Sequence, residues 1–294
     1  MSEQGTGALW AAAATGVQVG AAMVATRYVV DSPGPASLGF LRYLVGLLCL
    51  APALLMAPRK HIGSRDLLPI GLLGVGQFGL LIVLLNFSLQ HIPAARASLL
   101  FATFPVMTML LSVLLGRESF NFQKAVGALF AFLGVAITLS DATLAVDARQ
   151  SSPWLGSLAA LGAALCGAVC SIFYRPYVAR YSALPVTALA MLAAVVALAG
   201  LAAGEGLFVA VPHFTVGEGA AIVFIGVSSG VGFFLWVYAL GNAPPTLVAM
   251  FLSLSPVTAS MGGSLALGEE LPLAAVLGLA AVLLGLWVAL RSSK

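Results

Sequence analysis

Charge is what this chain has least of. Only 8% of its 294 residues are Asp, Glu, Lys or Arg, against roughly 25% in ordinary soluble domains. With 61% hydrophobic residues and a mean hydropathy of +1.08, it cannot cover a globular surface with solvated groups, so a water-soluble domain is excluded. Three cysteines, Cys49, Cys166 and Cys170, all lie inside apolar runs, which argues against a disulfide framework. The three histidines, His61, His91 and His213, stand in separate loops, and no Cys/His or carboxylate group has metal-ligand spacing. A Walker-type phosphate loop is also missing. No catalytic residue, metal or cofactor is therefore expected.

What the chain does have is apolar length. A helix needs ~20 residues to cross the apolar core of a bilayer, and ten runs near that length are legible: 8–30, 37–57, 67–90, 94–115, 122–140, 154–176, 184–203, 217–240, 245–267 and 272–291. A membrane barrel would show ~10-residue alternating segments, and these runs are continuously apolar. The expected fold is an all-α polytopic membrane protein with ten transmembrane helices. The first run has no basic leader and no processing site after it, so it is expected to stay as a span.

Orientation follows from the basic residues, which stay on the cytoplasmic side. With the N-terminus inside, that side holds Arg59, Lys60, Arg65, Arg117, Lys124, Arg175, Arg180, Arg291 and Lys294, nine of thirteen. Arg27, Arg96 and Arg149 fall outside, and Arg42 lies within the second span. Both termini are expected in the cytoplasm. Topology thus accounts for the pI near 8.9, and no nucleic-acid partner is expected; the partners are the lipid bilayer and a small molecule.

The second half repeats the first at an offset of 151 residues. Sliding by that amount places Pro93 on Pro244, Pro105 on Pro256, Glu118 on Glu269, Gly127 on Gly278 and Gly134 on Gly285. Proline and glutamate are scarce here, so their coincidence carries weight that leucine on leucine would not. The expected units are residues 1–145 and 146–294, each of five spans. Five is odd, so the second unit enters from the opposite side and the repeats are inverted. Secondary transporters use such pairs to expose one site alternately to either side of a membrane.

Pro105 and Pro256 fall about halfway along the fourth and ninth spans, where each removes a hydrogen bond to Phe101 or Leu252. Both helices are expected to bend there. A paired hinge and a kink merely inherited by duplication are both compatible with the pattern. Gly16 with Gly20, Gly200 with Gly204, and Gly226 with Gly230 have the spacing that lets helix backbones approach. Gly127 with Gly134, and Gly278 with Gly285, mark one face each of the fifth and tenth helices. These faces suit either a dimer or the bundle itself.

Ten spans as five plus five resemble a known family when taken with a mid-helix proline in each fourth helix. The endings Gly116 to Glu118 and Gly268 to Glu270, and the glycine-rich helix after each, add to the likeness. The chain resembles the EamA-type branch of the drug/metabolite transporter superfamily, most clearly over Pro93 to Gly134 and Pro244 to Gly285. Arg42 matches an arginine the family tends to carry in its second helix. The resemblance implies export of small metabolites across the bacterial inner membrane without ATP, and general likeness points to YddG-type exporters of aromatic and other neutral amino acids. Leu192 occupies the region equivalent to Arg42 in the second repeat, so substrate contacts are expected to be asymmetric.

Two motifs tempt and are set aside. Gly74-Val-Gly-Gln-Phe-Gly79 spells the dinucleotide fingerprint but lies within an apolar helix rather than at a strand-to-helix turn. Asn86-Phe-Ser88 spells a glycosylation acceptor inside a span.

Polar groups within spans are costly and usually face a cavity or another helix. The candidate substrate site is Arg42, Gln77, Phe78, Asn86, Ser98, Phe101, Trp236 and Ser253, with Pro105 and Pro256 as hinges. Amides and hydroxyls would hold a zwitterion and the rings an apolar side chain. Arg42 suits either a substrate carboxylate or a structural partner such as a helix C-terminus. Glu118, Glu269 and Glu270 lie at helix ends, which fits capping or gate latching better than a proton relay. The expected mode is facilitated diffusion or exchange, by a monomer or homodimer. The rival readings are a drug or nucleotide-sugar carrier of the same superfamily, an intramembrane lipid-modifying enzyme and a channel-like oligomer.

Overall fold

In a bilayer the backbone must satisfy its own hydrogen bonds, which selects helices, and a computed structural model of the chain has no strand among its described residues. Those residues are 3–29, 34–56, 62–91, 97, 100–138, 153–209, 214–258, 261 and 273–291. The helices are α1 (Glu3–Val29), α2 (Pro35–Met56), α3 (Ser64–Gly74), α4 (Leu81–His91), α5 (Phe104–Leu114), α6 (Phe122–Thr138), α7 (Pro153–Tyr181), α8 (Ala183–Gly204), α9 (Val216–Asn242), α10 (Pro245–Met250) and α11 (Leu273–Arg291). A wide π turn, Val75–Leu80, joins α3 to α4, and a tight turn, Phe251–Ser253, continues α10 into a helical segment at 254–258.

Among the described residues six helices are long and apolar enough to cross a membrane: Thr6–Thr26, Pro35–Met56, Ser64–Ser88, Trp154–Tyr181, Ala183–Gly204 and Val216–Asn242. Four apolar helices are shorter, Phe104–Leu114, Phe122–Ile137, Pro245–Thr258 and Val276–Ala289. They lie within the fourth, fifth, ninth and tenth expected runs.

The 151-residue offset recurs in the element bounds. Added to Glu3–Val29 it gives 154–180, where α7 is Pro153–Tyr181. Added to the stretch from the start of α3 to the end of α4 it gives 215–242, where α9 is Val216–Asn242. Added to Phe122–Thr138 it gives 273–289, where α11 is Leu273–Arg291. The π turn has no counterpart, because α9 runs through the equivalent residues as regular helix. The third run was expected as one uniform helix, and the turn at Val75–Leu80 corrects that. One extra residue in a turn leaves an apolar run apolar, so the composition carries no trace of it.

Glycine sets the close approaches. A methyl group on Gly127 would lie 2.6 Å from the Gly285 carbonyl oxygen, and one on Gly134 would lie 2.6 Å from that of Gly278. The two glycine faces thus meet each other, α6 against α11, within one chain. Likewise α2 crosses α9 where a methyl on Gly230 would sit 2.6 Å from Gly46 O, and α3 crosses α8 where one on Gly74 would overlap the Ala190 backbone. Gly16 packs on the Phe251 carbonyl. Gly200 and Gly204 have no neighbour within 4 Å of an added methyl, so that spacing is not a packing motif here. The outward sides of α6 and α11 carry exposed Leu129, Leu133, Leu283 and Trp287, an apolar surface suited to lipid.

Candidate functional site

The fourth run breaks just before its proline, and the ninth is pinched into a tight turn just before its own while staying helical. Proline has no N–H to return to the carbonyl four residues earlier, so Phe101 O and Leu252 O lose their helical donors. In the first case the chain turns at Ala102 and Thr103, and α5 begins at Phe104 with Pro105 in its first turn. In the second, the tight turn Phe251–Ser253 tightens the helix ahead of Pro256. Neighbouring hydroxyls take up exposed carbonyls: Thr103 Oγ1 donates to Leu100 O at 2.6 Å, and Ser255 Oγ donates to Leu252 O at 2.8 Å. The expectation of a bent but continuous helix is corrected for the fourth run, whereas the ninth stays helical from Pro245 to Thr258.

The two breaks face each other across a cavity. Phe101, Phe104 and Pro105 line one side, Leu252, Ser253, Ser255 and Pro256 the other, with Met23 of α1 between. Its volume is about 10 Å³, near the least space that holds one water, so a solute of amino-acid size enters only if the breaks move apart. Phe101 and Phe104 rings lie 5.7 Å apart, and the Trp236 ring of α9 lies 6.0 Å from Phe104. Ser253 Oγ and Trp236 Nε1 are buried with no hydrogen-bond partner among the described residues. An unpartnered buried polar atom costs about 1–3 kcal/mol, so one lining the cavity and a second close behind it point to a partner that comes and goes.

A second group surrounds the π turn, a feature often found where helices serve function. Phe78 meets Phe233 edge to face at 4.4 Å and Tyr43 at 5.5 Å. Gln77 Oε1, Tyr43 Oη and Tyr174 Oη are buried without partners among the described residues. The fingerprint glycines beside them serve packing: Gly74 meets Ala190, and Gly76 lies against Cys170, its carbonyl accepting from Cys166 Sγ at 3.3 Å.

Of the expected site residues, Phe101, Ser253, Pro105 and Pro256 meet at the cavity and Trp236 stands beside it. Gln77 and Phe78 belong to the π-turn group. Asn86 is turned elsewhere: its amide donates to Pro35 O at 2.9 Å and ties α4 to the start of α2. Arg42 has a structural contact rather than a free guanidinium, since its Nε donates to Ser229 Oγ at 2.6 Å, and Ser229 Oγ donates in turn to Ile225 O. Its partner is a hydroxyl, not the helix end considered from sequence. Ser98 lies outside the described residues. Phe104, Phe233 and Met23 were not anticipated. Phe233 could have been found from its position one turn before Trp236; nothing in the sequence marks Met23.

The EamA-like transporter family matches residues 5–140 and again residues 154–291. A probable terminal-alkyne amino-acid exporter of Streptantibioticus cattleyicolor is 31% identical over 92% of this chain and 89% of its own length. An uncharacterised transporter of Archaeoglobus fulgidus is 25% identical over 92% of this chain and 94% of its own, and one of Bacillus subtilis is 25% identical over 92% and 83%. A solved crystal structure superposes with a TM-score of 0.80 at 22% identity, covering 96% of this chain and 98% of that one, which supports the fold. The chain belongs to the EamA-like transporter family, and is thus a multi-pass membrane transporter that works in a lipid bilayer on a small-molecule substrate.

Proposed function

We propose that the chain exports small neutral metabolites, chiefly aromatic and other neutral amino acids, across the bacterial inner membrane by alternating access. The observation that carries this reading is the cavity between the irregular turns ahead of Pro105 and Pro256, lined by Phe101, Phe104 and the unpartnered Ser253 Oγ, with the Trp236 ring and its unpartnered Nε1 packed behind Phe104. Rings suit an apolar side chain, and hydroxyl and indole donors suit a carboxylate. The export activity in the name of the Streptantibioticus cattleyicolor relative agrees with it. On this reading Arg42, Gln77 and Phe78 approach the site from the first repeat, Asn86 braces α4 against the start of α2, Ser98 belongs to the same substrate-binding set, and Pro105 and Pro256 are the hinges.

The architecture is ten spans in two inverted repeats, 1–145 and 146–294, with both termini in the cytoplasm. The recurrence of element bounds at 151 residues supports it, as does the reciprocal contact of Gly127 with Gly285 and Gly134 with Gly278. Because those glycine faces are spent within the chain, they are no dimer seam. A nucleotide-sugar carrier fits less well, since no cationic side chain among the described residues lines the cavity and a diphosphate requires several charge-assisted bonds.

The deciding experiment is flux into liposomes containing the purified protein, with phenylalanine, methionine, threonine and a nucleotide sugar, with and without a pH gradient. Saturable amino-acid flux indifferent to the gradient is expected. Flux of the nucleotide sugar alone would overturn the substrate assignment, and dependence on the gradient would overturn the facilitative mode.

A further inference from the structure

The two broken segments meet a second time, at one end of the bundle. There α5 ends in a reversal: Gly116 takes φ +64°, a left-handed conformation glycine adopts without strain, and Arg117 N and Glu118 N both donate to Ser112 O at 2.8 and 3.1 Å. The reversal delivers the Glu118 carboxylate to the start of α10. Its Oε1 accepts from Thr246 N and from Thr246 Oγ1, both at 3.2 Å, and its Oε2 accepts from Lys124 Nζ at 3.0 Å. The Glu118 and Lys124 side chains are only 8% and 12% exposed. By contrast, the guanidinium side chain of the Arg180–Asp66 pair is 67% exposed, and such pairs contribute little. A carboxylate at a helix N-terminus, neutralised by a lysine and shielded from water, is a firm tie.

A second tie, made by a more exposed carboxylate, closes the other end. Successive spans alternate in direction, α3 and α4 together making one span, so the start of α2 and the end of α8 lie opposite the start of α10 and the end of α5. Glu205, at the turn after α8, accepts from Ala36 N, Ser37 N and Ser37 Oγ at 3.0, 2.8 and 2.7 Å. Each tie joins the first half of the chain to the second, and the cavity lies between the two ends.

We propose that Glu118 is the latch of one gate, holding the α10 start against the α5 end, and that Glu205 fastens the opposite end. This rests on the alternating-access reading above. The lever is short. From Glu118 to the break before Pro105 is the length of α5, 11 residues or about 16 Å at 1.5 Å per residue, so parting at Thr246 is passed to the cavity walls by rigid helix. Losing the Glu118 bonds should therefore open the cavity to its own end alone. Lys and Arg placement assigns that end to the cytoplasm.

The test uses the full-length protein with Cys49, Cys166 and Cys170 replaced by serine and a reporter introduced as Ser253→Cys. A membrane-impermeant maleimide is applied from either face, and Ser293→Cys in a parallel sample identifies the cytoplasmic one. Glu118→Gln is expected to raise labelling of the reporter from the Glu118 end, on the order of tenfold for one lost set of charged hydrogen bonds, with labelling from the other end no higher than before. Glu205→Gln is expected to do the reverse. Equal rises from both ends, a rise from the wrong end, or no change would overturn the latch. Should Glu118→Gln fail to give monodisperse protein, Thr246→Val decides by the same readout, since it removes one accepted bond and leaves the Glu118–Lys124 pair. If the parent protein labels from both faces at once, alternating access itself fails; if it labels from one and Glu118→Gln changes nothing, only the latch does.

Discussion

Two crossings bring the halves of this chain together, and they are built in opposite ways. At the rim, α6 and α11 meet through Gly127, Gly134, Gly278 and Gly285, each backbone against the other's carbonyl oxygens. At the centre, the breaks before Pro105 and Pro256 face each other across phenyl rings and unpartnered polar atoms. Lipid gives helices no hydrophobic reason to associate, so rigidity comes from close backbone approach. Mobility is found where backbone hydrogen bonds are missing. The rim is complete in itself, whereas the centre leaves bonds for something else to make.

The largest expected effect strikes the rim. Gly127→Leu should cost at least about 3 kcal/mol, because even a methyl there meets the Gly285 carbonyl; loss of monodisperse protein on gel filtration checks it. Gly200→Leu, into open space, should leave the protein intact, and if both variants behave alike the rim is not special.

At the centre the sign reverses. Trp236→Phe removes a buried, unpartnered N–H, so the thermal midpoint should hold or rise while amino-acid flux falls roughly tenfold, the effect of about 1.4 kcal/mol. A parallel fall in stability and flux would show the indole to be ordinary packing.

The prolines should separate more finely. Pro105→Ala restores a donor to Phe101 O and should stabilise the protein by about 1 kcal/mol while slowing transport. Pro256→Ala should do less, because Ser255 Oγ already occupies Leu252 O. Equal gains in chemical denaturation would deny Ser255 that role. The smallest effect is expected far from both crossings. Thr215→Ala removes the capping box at the start of α9 and should lower the melting temperature slightly without touching flux.

Much of this was readable in advance because scarce prolines and a regular glycine spacing carried it. Prolines repeated at 151 marked the breaks, and glycines seven apart marked the rim. That the fourth helix breaks while the ninth only tightens was not readable, since the outcome depends on whether a hydroxyl such as Thr103 Oγ1 takes up a carbonyl beside the gap. The π turn at Val75–Leu80 was hidden because an apolar run stays apolar in any register. Phe104 went unnoticed beside Phe101 for the same reason: hydropathy does not separate a ring that faces lipid from one that faces a cavity. Asn86 and Arg42 were picked out correctly as groups that need partners, but the partners themselves are remote. Glu205, a lone acid in a turn, gave no signal at all.

Sequence by itself determined the solvent this protein lives in, the apolar segments available to span it, the duplication and the places where helices must fail, because each follows from composition or from a missing N–H. Only the tertiary structure decided which polar group answers which. The bonds that matter join residues far apart in the chain, Arg42 to Ser229 and Glu205 to Ala36, separated by 187 and 169 positions. In an apolar medium a polar group must find some partner, and packing alone determines which one comes within reach.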